Sequence, residues 1–135
     1  MSQQSDSANT TDLVPSESDR TMAAIGHGLT FVEGGIVGPL IVYILQREQS
    51  PFVAFHSLQS LLFGLLFLVV VSVYAMLGMF TLGLGLLVLL PVVFAASVFY
   101  MVFEVIAVIK AHNGEWYTLP FVGAWALRIH PPPSA

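Results

Sequence analysis

The chain has no cysteine, only four lysines and arginines, and a charged fraction of 9% over 135 residues. Without cysteine there is no disulfide, no thiol nucleophile and no thiolate metal site. Four cations against eight acids leave no basic cluster to neutralise phosphates, which excludes nucleic acid as a partner. No basic segment leads into a short apolar stretch with a small-residue cleavage pattern, so a cleavable signal peptide is not expected. His-Glu-x-x-His, a phosphate loop and a dinucleotide fingerprint are also missing, since Gly83-Leu84-Gly85 lacks the glycine that would have to follow.

What the chain has instead is apolar sequence. Hydrophobic residues make up 56% of it, where a soluble domain would carry roughly 25% charged residues. The reading is an all-α integral membrane protein with three transmembrane helices and an interfacial C-terminal segment. Residues 1–19 are polar and hold Asp6, Asp12, Glu17 and Asp19. With no apolar periodicity to offset the entropy of ordering, they read as a disordered acidic tail. Residues 20–130 form the helical membrane domain, and residues 131–135 are a proline-rich end.

The first span is placed at residues 22–45, which as one helix would measure ~36 Å against a hydrocarbon core of ~30 Å. Gly26, Thr30, Gly34 and Gly38 recur at every fourth residue, a small-residue stripe suited to helix packing. Pro39 is expected to kink this helix. Ser50 followed by Pro51 marks a helix start, and the second span covers residues 57–77. A glycine-punctuated turn from Gly78 to Gly85 leads into a third span at 86–109, closed by Lys110 and by Asn113-Gly114 as a left-handed cap. Residues 116–129 carry Trp116, Tyr117 and Trp125 and are too short to cross, so they are assigned to the membrane surface. With three crossings, Arg20 lies on one side and Arg47, Lys110 and Arg128 on the other, which makes the C-terminus cytoplasmic.

Several segments together resemble a known family. They are Asp19-Arg20-Thr21, Gly38-Pro39-Leu40-Ile41, Ser50-Pro51-Phe52-Val53-Ala54-Phe55-His56 and Ile109-Lys110-Ala111-His112-Asn113-Gly114-Glu115. Over about Arg20 to Phe121 the chain is similar to small bacterial and archaeal membrane proteins with an uncharacterised domain, described as similar to the Tic chloroplast protein-import components. The resemblance implies a three- or four-helix membrane fold without an assigned activity. It also implies that Glu33 and Glu104, at positions usually apolar in that family, are particular to this chain.

Polar groups inside a membrane are the functional candidates. Glu33 lies in the middle of the first span and reads as a protonated, hydrogen-bonded acid or as a proton- or cation-linked site. His27 reads as a packed or interfacial histidine near the Arg20 end. Glu104 lies ~9 Å inside the third span from Lys110, and His56 and Gln59 enter the second span from the same side. These three are expected to form a cluster holding the two helices in register. His56 and Glu104 offer two ligands where catalytic zinc usually has three, so no metal and no cofactor are assigned.

The function expected from these features is that of a non-enzymatic accessory or assembly component of the cell membrane. It would be multi-pass, in contact with the bilayer, and built into a homo-oligomer or a larger membrane complex through the small-residue stripe. The alternative is an oligomeric transport or protein-translocation component.

Overall fold

The computed structural model describes residues 14–133. The expected tail therefore lies mostly outside the described residues. Its last part does not: Glu17 to Asp19 already belong to helix α1 (Glu17–Gly28). Ser16 starts that helix, its Oγ accepting from Asp19 N at 3.1 Å while the Asp19 carboxylate accepts from Ser16 N at 3.4 Å. Each side chain thus satisfies the other residue's otherwise orphaned N–H.

The stretch expected to cross once, residues 22–45, is not a continuous helix. α1 gives way to a single turn, α2 (Thr30–Glu33), and then to α3 (Val37–Gln46). Between them Gly34 and Gly35 stand at φ +89° and +94°, a backbone region that only glycine enters without strain. At 10 residues α3 is ~15 Å long, half the hydrocarbon thickness. Pro39 does not kink a span, because it falls in the first turn of α3, where its missing N–H leaves no helical bond unmade.

The direction of each arm follows from its neighbours. Ala23 packs with Phe52, Val53 and Ala111, while His27 bonds to Glu104 and His56. Gly35 lies against Gly64 and Tyr100. Val42 is then back in the cluster of Ala23 and Phe52. So α1 runs into the protein and α3 runs out again toward the end where α1 began.

Two long helices complete the frame. α4 (Pro51–Phe80) has 30 residues, α5 (Leu84–His112) has 29, and both are long and apolar enough to cross a membrane. Ser50 caps α4 as its sequence suggests, accepting from Val53 N at 3.3 Å, with Pro51 in the first turn. The chain reverses over Thr81 to Gly83, with Leu82 at φ 51° and Gly83 at φ 86°. Side-chain contacts between the two helices run from Ser60 against Glu104 through Phe67 against Tyr100 to Tyr74 Oη donating to Leu86 O. The helices are therefore antiparallel along their length. Their far halves face outward, with Phe80 80% and Leu84 73% exposed, which suits a lipid solvent rather than water. Their near halves are wrapped by α1, α3 and the C-terminal segment.

That segment is tied down by Gln59, as described below, and ends in α6 (Gly123–Ile129), which covers only the second half of the expected 116–129 stretch. Ala126 packs with Phe55 and Leu58, while Trp125 and Ile129 face outward. All four cations consequently sit at one end of the molecule. Arg20 lies against Gly114, Lys110 pairs with Glu115 at 2.8 Å, Arg47 ends α3 beside Ser50, and Arg128 lies on α6. Between Gln59 and Glu104 the sequence has no charged residue, so the opposite end is uncharged.

Candidate functional site: a buried histidine–carboxylate network

Five polar side chains from three helices meet inside the wrapped half, and none of them is accessible: His27 on α1, His56, Gln59 and Ser60 on α4, and Glu104 on α5. His27 stands at the centre. Its Nδ1 lies 2.7 Å from Glu104 Oε2 and its Nε2 lies 3.2 Å from His56 Nδ1. Ser60 Oγ donates to Glu104 at 3.2 Å. Helix α1 reaches this site because Ala23, Gly26, His27 and Thr30 lie along one face at three- and four-residue spacing. Gly26 lets that face approach Val42 and Ser57 closely.

The partners fix almost every proton. Gln59 Oε1 accepts from Leu119 N at 3.1 Å, so its Nε2 is the donor, to Tyr117 O at 2.9 Å and to His56 Nδ1 at 3.2 Å. His56 Nε2 faces the Glu115 carbonyl at 3.0 Å, and a carbonyl can only accept. His56 is thus the Nε2–H tautomer with Nδ1 as acceptor, which requires His27 Nε2 to donate. One proton remains, shared between His27 Nδ1 and Glu104 Oε2. Whether it sits on the imidazole or on the carboxyl, the network as a whole is neutral, the condition under which full burial is tolerated.

The expected cluster of His56, Gln59 and Glu104 is therefore brought together, but the link from His56 to Glu104 passes through His27. Depth counting set His27 apart from this cluster because it took residues 22–45 as one continuous helix, which the structure breaks at Gly34 and Gly35. The signal that could have corrected this is Gly34-Gly35 followed by Pro39, breaker residues inside an apolar stretch. Glu33 is not part of the network. At the end of α2 its carboxylate accepts from Gly38 N in the first turn of α3, where backbone donors are orphaned and the helix dipole favours an acid.

Nor do Gly26, Thr30, Gly34 and Gly38 form one face. Thr30 Oγ1 donates to His27 O at 2.7 Å, and Gly38 packs on Leu29 and Glu33. Gly34 closes α2 with no neighbour within 4 Å of where a Cβ would be. The break at Gly34 rotates the residues beyond it off the line. Among the described residues, no group of three or more histidine, aspartate or glutamate side chains is arranged to hold a metal ion.

Helices are the only regular elements among the described residues, and two of them are long and apolar enough to cross a bilayer, the make-up of a small membrane protein. It belongs to the MamF/MmsF family, the magnetosome magnetite crystal formation protein family, whose model matches residues 18–126. This match takes in all five network residues and replaces the resemblance to Tic-type import components. The segments quoted for that resemblance lie within the match, so they carry no link to protein import. No curated protein and no solved structure matches the chain.

Proposed function

We propose that this chain is a non-enzymatic accessory protein of the magnetosome membrane that acts in the formation of magnetite crystals. The family match over residues 18–126 carries this reading, and the two membrane-capable helices support it. In this reading the chain crosses the bilayer twice, through α4 and α5, while α1 to α3 dip in and return on one side. The end bearing Arg20, Arg47, Lys110 and Arg128 is then cytoplasmic, four cations against none by the positive-inside rule. That end includes the C-terminus.

This placement bears on mechanism. Ligands for iron are carboxylates and imidazoles, and the turn from Met79 to Leu86 on the opposite side has neither. The chain therefore acts from within the membrane or from its cytoplasmic face, as an assembly component in a homo-oligomer or larger complex, and does not template mineral with its own acids. The buried network keeps the re-entrant arm docked so that this assembly surface has one shape.

The test is removal of the chain's gene from a magnetite-forming bacterium, followed by re-expression of the protein and of a Glu104→Ala variant. Crystals smaller or fewer without the protein, restored by wild type and not by the variant, are the expected result. Normal crystals in its absence, or a protein recovered outside the membrane fraction, would overturn the reading.

A further inference from the structure

Phe121 holds a conformation that few side chains adopt. Its φ is 68°, a costly region for a bulky residue, and its ring is 76% exposed, so packing within the chain does not offset the strain. Glycine here would avoid the conformational cost. The ring instead forms one wall of a groove of about 190 Å³ between α4 and α5, together with Phe63, Phe67 and Phe99, and its centroid lies 6.4 Å from that of Phe99. Strain held at an exposed ring points to a use for that ring outside the chain.

The segment that follows leads from the groove toward the cation-bearing end. Phe121 shares the groove with Phe63, Ala126 packs with Phe55 and Leu58, and His130 reaches Tyr43 on α3. Phe63 lies ~12 Å beyond Phe55 along α4, so α6 climbs by about that distance. On the way, Trp125 and Arg128 stand one turn apart on its exposed side. Arg20 donates to Pro15 O, Arg47 faces Glu48 at 3.7 Å and Lys110 pairs with Glu115 at 2.8 Å. Among the described residues, Arg128 is the one cation without a partner, and from Trp116 to the end of the sequence there is no acidic residue.

An apolar groove, then an exposed indole, then an unpaired guanidinium follow the order of a phospholipid from its acyl chains through the glycerol to the phosphate. Tryptophan settles at the glycerol and headgroup level, and arginine pairs with phosphate. We propose that this face is a binding site for one phospholipid of net negative charge, with an acyl chain in the groove against Phe121 and the phosphate on Arg128. Charge complementarity selects the headgroup, because a zwitterionic lipid brings the same phosphate with an amine that Arg128 repels. The proposal rests on the reading that α4 and α5 cross a bilayer.

The experiment reconstitutes the full chain in vesicles and compares quenching of its tryptophan fluorescence by acyl-brominated phosphatidylglycerol and acyl-brominated phosphatidylcholine. Arg128→Gln removes the charge. Phe121→Gly removes the groove wall and suits the positive φ, so it should fold at least as well as wild type, which thermal unfolding in lipid-free detergent checks. Wild type is expected to prefer phosphatidylglycerol about five-fold, the gain from one cation near an anionic headgroup. Arg128→Gln should lose that preference, and Phe121→Gly should bind both lipids more weakly without losing stability. Equal quenching by the two lipids in wild type, a preference that survives Arg128→Gln, or quenching unchanged in Phe121→Gly would overturn the site. So would a native mass showing a dimer that Phe121→Gly dissociates, since a second copy would then fill the groove. Failure to enter vesicles counts against the crossing itself, whereas a missing headgroup preference in incorporated protein counts against the site alone.

Discussion

His27 Nδ1 lies 2.7 Å from Glu104 Oε2, 77 positions away in the chain, and neither side chain touches solvent. This contact joins the re-entrant arm to the second long helix. Glu104→Ala would leave His27 Nδ1 and Ser60 Oγ without partners in a sealed site. We expect it to cost about 3 kcal/mol, whereas Glu104→Gln, which keeps a polar group of the same shape, should cost under about 1.5 kcal/mol. Thermal unfolding in one detergent measures both, and an alanine variant as stable as wild type would mean that the network does not hold the arm.

Gln59 is the tether of the C-terminal segment. Gln59→Leu preserves volume but orphans Leu119 N and Tyr117 O, both now bonded to the amide. Each unpaired group costs about 1–3 kcal/mol. Hydrogen exchange over residues 117–129 should rise before that of α4 and α5, with global unfolding affected less.

The glycines separate by position. A Cβ on Gly64 would fall 2.2 Å from Gly35 O, a backbone clash that no side-chain rotation relieves, so Gly64→Ala should cost about 1–3 kcal/mol. Gly34→Ala meets no atom but must hold φ +89°, a strain of about 1–2 kcal/mol. If Gly34 were a helix-packing contact between chains, Gly34→Leu would disperse an oligomer. Its positive φ predicts that stability falls in either case, and the native mass in detergent decides whether the position is a contact between chains.

Sidedness is directly measurable because the chain has no cysteine. Single cysteines at Ser18, Glu48, His112 and Leu82 should label in two classes with a membrane-impermeant maleimide on oriented vesicles. The first three belong to one side and Leu82 to the other. Three crossings would instead place Ser18 opposite Glu48.

His130 lies 3.3 Å from the Tyr43 hydroxyl at the cation-bearing end, and burial lowers its pKa below the usual histidine value. The unfolded chain then binds this proton more readily than the folded one, so the contribution to stability is present above the ordinary histidine value and fades as pH falls below it. His130 is only partly buried, so the effect is confined to docking of α6. Trp125 fluorescence should report a loosening of α6 on acidification that His130→Phe abolishes.

Much of this protein was determined by local sequence. The cap at Ser50-Pro51, the extent of the two apolar helices, the glycine turn near Leu82 and the stop after Lys110 all follow from residues within a few positions of one another. Composition alone set the solvent, because a chain so poor in charge cannot cover itself for water. The cluster of His56, Gln59 and Glu104 could be anticipated because both helices are continuous and depth along them can be counted. What only the tertiary structure decided is the path of the first apolar stretch. Gly34 and Gly35 permit either a continuous helix or a reversal, and the choice rests on contacts far away in sequence. Gly64 lets the bend approach α4, Tyr100 stands beside it, and Glu104 and His56 wait for His27. These contacts folded the first apolar stretch back on itself, moved Arg20 to the end shared by every other cation, and made a histidine that depth counting set apart from the cluster the centre of the buried network.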